Sequence, residues 1–312
     1  MKEQKSNQET GIDQQIYTKE FDGKQVIIMS TDKCNTKCKH CYIDYKGCFK
    51  GERLSELVRE LVKKYDVYIN GTEVLLHPDF LEAIGIAGQV KIQTNGLVIL
   101  DHPDLLQDLK NRGIKQIQLS YHFGIHDSIS GVQESRLGRA IDLIKQAGLK
   151  LKLAVTVTKQ NYLMVDQICK NAQALGAKIV KFINLISSGK VKENLSADLL
   201  LHDAEIEVFL KQVEDARNKF DKNNLIIERS GTFGKADSVH NNFHCTAGTN
   251  KVVVTPDMEI FPCIGLTAPE YKIGEVRDNK LMITKQVKNA GLLCMSKVTK
   301  NDGVDFSTYL IV

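Results

Sequence analysis

Four of the chain's eight cysteines fall within fifteen residues, in the stretch CNTKCKHCYIDYKGC at positions 34 to 48. Cys34, Cys38 and Cys41 have the spacing C-x3-C-x2-C, and Cys48 follows after six further residues. Clustered thiols can bind a metal, exchange electrons or act as nucleophiles. Nothing else in the chain indicates secretion, and thiols of proteins in reducing compartments are more often metal ligands or catalysts than disulfide partners.

The composition is that of an ordinary globular protein. The chain has 312 residues, of which 42% are apolar and 26% charged, so it is long enough to bury a sizeable core. The net charge of +4 is spread along the chain, which gives no indication of a nucleic-acid partner. The polar leader at 1–23 has no apolar run like that of a signal peptide, and no later run has the length of a membrane span. We therefore expect a cytoplasmic protein without a membrane partner.

Two metals fit the first three cysteines. A structural zinc site needs four protein ligands, and His40 or Cys48 could supply the fourth. A [4Fe-4S] cluster held by three cysteines has one iron without a protein ligand, and that iron could bind another group. The spacing favours iron over zinc but leaves both open.

Short β-type runs alternate regularly with amphipathic helical stretches, which predicts right-handed βαβ units and a parallel sheet. The predicted strands are 24–30, 67–70, 90–94, 114–120, 151–157 and 178–185. Helices are predicted over 54–65, from about 79, from 103, and over 136–148, 161–176 and 203–220. Periodicity leaves open whether the sheet is flat or curled. After 220 short strands and a hairpin around TPDM predict a second unit, so we divide the chain into 1–23, 24–220 and 221–312.

Small or polar residues follow the predicted strands in order. Gly71, Thr72 and Glu73 follow the second strand, Thr94 and Asn95 end the third, and Ser120 ends the fourth. Because the carboxyl ends of parallel strands meet at one edge, we expect these residues and the cysteine loop to face one cavity.

This ordered set resembles the radical S-adenosylmethionine (radical SAM) superfamily over about 24–190. The set comprises the cysteine spacing, the GTE loop at 71–73, QTNG at 93–96, and a strand ending in Ser120 that is followed by His126 and Asp127. The resemblance implies a partial (β/α)6 TIM-like barrel with a small C-terminal β-hairpin and helix domain. It also implies that Cys34, Cys38 and Cys41 hold a [4Fe-4S] cluster whose open iron binds SAM.

The resemblance also implies roles for the other residues. His40 and Tyr42 would lie near the adenine, the loop of Gly71, Thr72 and Glu73 would meet the amino group of SAM, and Thr94, Asn95 and Ser120 would hold its ribose and carboxylate. The chain departs from the family pattern twice: Gly-Gly-Glu-Pro is replaced by GTEV at 71–74, and Ser-Leu-Asp-Gly by SYHFG at 120–124. The second departure puts the ribose contact in question.

Three further cysteines, Cys245, Cys263 and Cys294, lie beyond the predicted boundary. Cys245 and Cys263 flank a glycine turn and a hairpin, in a pattern that resembles the auxiliary-cluster domain called Twitch, a reduced form of SPASM. The resemblance implies one auxiliary [4Fe-4S] cluster held by these three residues, and its fourth ligand could be His244, an acid such as Asp302 or Asp305, or the substrate, or the position could be vacant. The alternative is that the three cysteines are buried apolar thiols.

The two remaining cysteines differ in their surroundings. Cys169 lies on a predicted amphipathic helix, where we expect it to pack in the core. Cys48 follows the cysteine loop, and we consider two roles for it: an ordinary loop cysteine or the catalytic donor that returns a hydrogen atom to a substrate radical.

The resemblance implies an enzyme that cleaves SAM reductively and removes a hydrogen atom from a substrate C–H bond. A ribosomal peptide is the first expected substrate, modified by epimerisation or cross-linking, with flavodoxin or ferredoxin as electron donor. The alternative substrate is a small sugar, aminoglycoside or nucleoside, which would be epimerised or oxidised. A zinc-stabilised binding protein without radical chemistry is the alternative from another class.

Overall fold

A computed structural model provides the fold. The structure describes residues 19–43, 45–186, 199–230, 233, 246–287 and 310–311. Cys245 and Cys294 of the predicted auxiliary site lie outside the described residues. Among the helices of the described ranges, none has both the length and the apolar character needed to cross a membrane.

The described strands number fourteen and fall into three sheets. They are β1 (Lys19–Glu20), β2 (Gln25–Met29), β3 (Asp66–Asn70), β4 (Lys91–Thr94), β5 (Gln116–Ser120), β6 (Lys150–Val157), β7 (Ile179–Asn184), β8 (Ile226–Ser230), β9 (Lys251–Val254), β10 (Glu259–Phe261), β11 (Gly274–Arg277), β12 (Lys280–Ile283), β13 (Gln286–Val287) and β14 (Leu310–Ile311).

The described α-helices connect the parallel strands. They are α1 (Arg53–Leu61), α2 (Phe80–Ala87), α3 (Leu97–Asp101), α4 (Leu105–Asn111), α5 (His126–Ser130), α6 (Glu134–Gln146), α7 (Val165–Ala174) and α8 (Asp203–Lys219). The short helices α3 and α5 were not expected, because one or two turns are too short to give a periodic pattern.

Two sheets carry the α/β part of the fold. Strands β4 to β8 form a parallel sheet in sequence order, and β2 pairs in parallel with β3. Each neighbouring pair is joined through one or more helices, as the alternation predicted. The prediction of an α/β fold with a curled, partial TIM-like barrel is confirmed.

A side chain joins β3 to β4 where the two sheets separate. Gln89 is buried, and its Oε1 accepts a hydrogen bond from the Ile69 backbone N–H at 2.7 Å. Its Nε2 donates to the backbone oxygens of Ile69 at 3.1 Å and Lys91 at 2.7 Å. The amide of Gln89 therefore supplies the hydrogen bonds that a strand ladder would otherwise make at this step.

The sheet β4–β8 has one apolar and one polar face, because alternate residues of a strand point to opposite sides. The apolar face packs against α6, α7 and α8. Its buried members include Ile117, Leu119, Leu153, Val155, Val180 and Phe182. The opposite face is the inner face of the curled sheet and carries Gln93, Gln118, Ser120, Lys152, Thr156, Lys181, Glu228 and Ser230.

The C-terminal strands extend the first sheet. β9 and β10 form the predicted hairpin around TPDM, and β9 pairs in parallel with β2. β10, β11, β12 and β1 follow in antiparallel order. β8, which follows the boundary predicted at 221, pairs with β7. Strands from both sides of that boundary therefore share sheets.

Candidate active site

The cysteine loop and the carboxyl ends of the parallel strands enclose one cavity of about 540 Å³. Cys34, Cys38 and Cys41 all line it. So do residues at the carboxyl ends of six strands, β3 to β8, including Gly71, Thr94, Ser120, Thr156, Ile183 and Ser230. The polar strand ends and the cysteine loop therefore share one cavity, as the strand order predicted.

The three cysteines of the loop are half-buried free thiols. The Thr36 hydroxyl lies between two of them, 3.1 Å from Cys34 Sγ and 3.4 Å from Cys38 Sγ. Burial and the neighbouring thiols of Cys34 and Cys41 raise the pKa of Cys38. Three mutually repelling thiolates in a partly desolvated pocket need a cationic centre to be stable, and this donor set suits a metal cluster.

The three thiols share a cavity with room for more than a single ion. A [4Fe-4S] cluster held by three cysteines leaves one iron without a protein ligand, whereas a structural zinc site needs four protein ligands.

The cysteine loop is attached to the first strands by hydrogen bonds through Thr31. The Tyr45 hydroxyl donates to the Thr31 carbonyl at 2.6 Å, and the Thr72 N–H donates to the same oxygen at 3.0 Å. Thr31 also forms a backbone bridge with Cys48. Gly71 is required here, because a Cβ at this position would lie 2.9 Å from Ser30 Oγ and 3.3 Å from the Thr31 oxygen.

Glu73 joins the loop after β3 to the end of β4. It is fully buried, and its carboxylate accepts hydrogen bonds from the Thr94 hydroxyl at 2.9 and 3.0 Å, the Asn95 N–H at 2.8 Å and the Leu75 N–H at 3.3 Å. Burial raises the pKa of Glu73 to about 7, although these hydrogen bonds oppose the shift. Glu73 is not among the residues that line the cavity.

Asn95 connects the end of β4 to the cysteine loop. Its Nδ2 donates to Asn35 Oδ1 at 2.7 Å and lies 3.7 Å from Cys34 Sγ. The next residue, Gly96, has φ of +86°, and a Cβ there would lie 2.7 Å from Leu119 Cδ1. The sharp turn that aims Asn95 at the loop therefore needs glycine.

Three histidines form a stack on one wall of the cavity. The rings of His40 and His122 meet edge to face at 4.7 Å, and those of His122 and His126 stack at 5.3 Å. His122 Nδ1 accepts from the Thr156 N–H at 3.2 Å, and His126 Nδ1 accepts from the His122 N–H at 3.2 Å. Burial lowers the pKa of all three, that of His40 to about 4, so the stack is neutral at pH 7.

One atom of this stack has no partner. His40 Nδ1 is buried and has no hydrogen-bond partner among the described residues. His40 also lines the cavity. A buried polar atom of this kind calls for a bound group, because leaving it unpaired is costly.

Most of the predicted residues meet in this cavity. Its lining includes the predicted residues Cys34, Cys38, Cys41, His40, Tyr42, Gly71, Thr72, Thr94, Asn95 and Ser120. Three predicted residues of the described ranges are outside this lining: Glu73, Cys48 and Cys263. Glu73 lies behind the wall, and Cys48 is half-buried outside the lining with its thiol 3.5 Å from the Phe49 oxygen. Cys169 on α7 is fully buried in the core, as expected.

Cys263 lies near the cysteine loop. Burial and the thiols of Cys263 and Cys41 raise the pKa of the Tyr42 hydroxyl, so Tyr42 stands between the two cysteine-bearing segments. The neighbour of Cys263, Ile264, lines the cavity itself. The end of the β9–β10 hairpin is therefore adjacent to the candidate site.

Three lining residues were not singled out in the sequence analysis, namely Thr156, Lys181 and Ser230, and Gln93, His122 and His126 appeared there only as parts of motifs without an assigned role. The signal was their alternation with apolar residues, as in KIVKFIN at 178–184, where Lys181 interrupts an apolar run. A polar residue at alternate positions of a buried parallel strand indicates an inner face that is not packed with apolar side chains.

No family model matches the chain, but several curated proteins do. The antilisterial bacteriocin subtilosin biosynthesis protein AlbA of Bacillus subtilis is 25% identical over 264 residues, which are 79% of this chain and 56% of AlbA. The PqqA peptide cyclase of Granulibacter bethesdensis is 27% identical over 213 residues, 64% of this chain and 56% of the cyclase. An AdoMet-dependent heme synthase of Oleidesulfovibrio alaskensis is 23% identical over 192 residues, 57% of this chain and 49% of the synthase. The chain spans about half the length of the curated relatives it matches.

These relatives share one superfamily, whose cysteine spacing and strand-end residues line the cavity described above. The chain is similar in sequence to these radical SAM proteins. Two solved structures have the same fold. Streptococcus suis SuiB bound to S-adenosylmethionine has a TM-score of 0.65 at 17% identity, over 81% of this chain and 63% of SuiB. Native anSMEcpe with bound AdoMet, which is SAM, has a TM-score of 0.63 at 19% identity, over 81% and 78%.

The cofactors of radical SAM proteins fit the residues of this cavity. The superfamily uses a [4Fe-4S] cluster and SAM. Three thiols on one cavity suit the cluster, and the unpartnered His40 Nδ1 and the polar strand ends suit a polar ligand beside it.

Proposed function

We propose that this protein is a radical SAM enzyme that modifies a peptide by removing a hydrogen atom from one of its C–H bonds. The observation that carries the proposal is the cavity in which Cys34, Cys38 and Cys41 meet the polar ends of β3, β4 and β5. When bound, the cluster and SAM supply a 5′-deoxyadenosyl radical as the hydrogen acceptor. The residues of the chain bind and orient the cofactors and the substrate, and they exclude water from the cavity.

In this proposal Cys34, Cys38 and Cys41 hold the cluster. The Asn95 amide restrains the Cys34 thiol, and Thr36 contacts the thiols of Cys34 and Cys38. These hydrogen bonds orient the ligands and offset part of the thiolate charge.

The polar residues of the cavity hold SAM. His40 and Tyr42 flank Cys41 and are proposed to contact the adenine, with the unpartnered His40 Nδ1 as a hydrogen-bonding atom. Gly71 and Thr72 face the amino group, and Asn95 and Ser120 serve the ribose and carboxylate. Glu73 acts through Thr94 and the Asn95 backbone, which it positions by hydrogen bonds.

His122 occupies the wall where the chain departs from the family pattern. It lines the cavity next to His40 and stays neutral because it is fully buried. We assign to it the polar contact that the acid of the usual Ser-Leu-Asp-Gly would make. A neutral imidazole can still hydrogen-bond a ribose hydroxyl.

A peptide substrate is favoured by the relatives. The names of two of them contain a peptide product or substrate, subtilosin and PqqA, and the neighbours include SuiB bound to precursor peptide SuiA and anSMEcpe with a Cp18Cys peptide. Epimerisation and cross-linking both begin with loss of the same hydrogen atom. The two outcomes differ in whether the substrate radical gains a hydrogen atom or loses an electron.

We also propose an auxiliary cluster bound by Cys245, Cys263 and Cys294. Cys263 lies near Tyr42 and thus close to the cavity, which suits a centre that exchanges electrons with the substrate. A flavodoxin or ferredoxin is the proposed external electron donor.

Anaerobic purification and reconstitution test the function. We expect about eight irons and eight sulfides per chain, and about four after Cys34, Cys38 and Cys41 are replaced together by alanine. With SAM and dithionite the wild type should release 5′-deoxyadenosine, and the triple variant should release none. Cys169→Ala is the matched control, since its buried thiol is remote from the cavity and its loss should leave iron and turnover unchanged. Zinc in place of iron and sulfide would refute the proposal and favour a zinc-stabilised binding protein.

A further inference from the structure

The inner face of the curled sheet contains one layer of side chains of which the proposed SAM chemistry uses only Ser120. The strand register places Ser120, Ala154, Lys181 and Glu228 side by side on β5, β6, β7 and β8. Ser120, Ala154 and Lys181 all line the cavity. The two small side chains leave open the space beside Lys181.

The carboxylate in this layer is already paired. Glu228 Oε2 accepts from Lys152 Nζ, and the Lys152 side chain is only 6% exposed. Lys181 forms no ion pair with any carboxylate among the described residues, and Glu228 acts on it only as a more distant charge. Burial and the positive charge of Lys152 lower the pKa of Lys181 to about 8, which indicates a cation that lacks a counter-charge. At neutral pH Lys181 remains mostly protonated.

Apart from the three cysteines, the cavity lining has more positive than negative side chains. Its described charged lining residues are Lys37, Lys46 and Lys181 against Asp32. Lys181 lies inside the barrel, whereas Lys37 and Lys46 are exposed on the cysteine loop. Lys181 is an interior cation without an ion pair among the described residues, and it therefore favours a ligand with a carboxylate.

We propose that Lys181 binds a carboxylate of the peptide substrate and thereby selects peptides with an acidic group near the reacting carbon. The proposal rests on the peptide-modifying function proposed above. Paired with that carboxylate, Lys181 would fix the depth at which the peptide enters the barrel. The carboxylate can belong to an Asp or Glu side chain or to the peptide C-terminus.

Affinity selection with defined peptide pools tests this inference. The anaerobically reconstituted protein with SAM, but without reductant, is incubated with N-acetylated heptapeptides whose flanking positions are random but exclude Asp and Glu. One pool has a central Glu and an amidated C-terminus, a second has Gln and an amidated C-terminus, and a third has Gln and a free carboxylate. Peptides retained on ultrafiltration are quantified by mass spectrometry.

We expect the wild type to retain the Glu pool or the free-acid pool about tenfold better than the neutral pool, which is a modest effect for a partly buried charge pair. Lys181→Gln should reduce this ratio to about one, and Lys181→Arg should keep most of it. Lys152→Met should also lower it, because the freed Glu228 carboxylate would then pair with Lys181. Lys178→Gln, which removes an exposed lysine three residues earlier, is the matched control and should change nothing.

Equal retention of all three pools by the wild type, no retention of any pool, or a preference that survives Lys181→Gln would overturn the inference. Because no step depends on SAM cleavage, failure here is separate from failure of the proposed function. If the protein selects acidic peptides but releases no 5′-deoxyadenosine, the result supports the anion site and refutes the proposed radical function. If it releases 5′-deoxyadenosine but does not select acidic peptides, the result supports the proposed function and refutes the role of Lys181.

Discussion

The hydroxyl of Thr94 lies 2.9 and 3.0 Å from the two carboxylate oxygens of Glu73, in the wall behind the cavity. This contact joins the loop after β3 to the carboxyl end of β4, and Glu73 also accepts from the Asn95 N–H at 2.8 Å. Because Asn95 contacts the cysteine loop, a buried carboxylate thereby fixes the position of a residue on the opposite side of the wall.

Glu73→Gln should change how stability depends on pH. Burial raises the pKa of Glu73 from 4.5 to about 7, so between these values the folded chain holds a proton that the unfolded chain has released. The wild-type free energy of unfolding should therefore fall by about 3 kcal/mol more than that of Glu73→Gln as pH rises from 4.5 to 7.5. Urea unfolding of the metal-free protein at a series of pH values measures the difference.

The control for this experiment is the exposed Glu82, which within the described part of the chain forms an ion pair with Arg59 at the surface. Glu82→Gln should follow the wild-type curve, since exposed pairs contribute at most about 1 kcal/mol. Parallel curves for the wild type and Glu73→Gln would show that Glu73 is not protonated preferentially in the folded state.

The sequence predicted which strand ends form the cavity because parallel strands impose that geometry on any residue at their carboxyl ends. The predicted strand order was enough to place Thr94, Asn95 and Ser120 at this edge of the sheet. Glu73 could not be placed this way, because the direction of one side chain after a strand depends on the local turn. Here the hydrogen bonds donated by the Thr94 hydroxyl and the Asn95 N–H hold the Glu73 side chain in the wall behind the cavity.

Lys181 and Gln89 show a second limit of the sequence. Lys181 stands in an apolar run, and only the register with Ala154 and Glu228 shows that it lies beside space on an inner face. Gln89 follows a helix at a chain position typical of a turn, yet it is buried between two strands. Both roles depend on contacts between strands, which no local pattern encodes.

Gln89→Leu should weaken the junction between β3 and β4. The substitution removes the partners of the Ile69 N–H and carbonyl and of the Lys91 carbonyl, and buried unpaired groups cost roughly 1–3 kcal/mol each. We expect a loss of about 3 kcal/mol in urea unfolding and faster amide exchange at Ile69, with no change in exchange along β5 and β6. Gln107→Leu alters an exposed amide that bonds Asn111 and should cost under about 0.5 kcal/mol. Equal losses in both variants would contradict a bridging role.

The buried pair of Lys152 and Glu228 should respond asymmetrically to substitution. Glu228→Gln leaves the Lys152 ammonium buried without its carboxylate, next to Lys181, and should cost about 3 kcal/mol. Lys152→Met removes the buried charge and leaves Glu228, whose side chain is 38% exposed, so it should cost about 1 kcal/mol or less. The double variant should resemble Lys152→Met in urea unfolding. If Lys152→Met were the more damaging single change, Glu228 rather than Lys152 would be the group that needs its partner.

Cys48→Ala should leave the chemistry unchanged. The Cys48 thiol contacts the Phe49 carbonyl, its backbone pairs with Thr31, and it is not among the residues that line the cavity, so we expect that it does not donate hydrogen to a substrate radical. We expect 5′-deoxyadenosine release and any deuterium gained by the product from heavy water to stay within about twofold of wild type, since substitutions remote from the reacting groups have small effects. Cys48→Ser is the matched control that keeps the size of the side chain. A product that gains deuterium in the wild type but not in either variant would establish Cys48 as the hydrogen donor, and would require the loop to move Cys48 into the cavity during turnover.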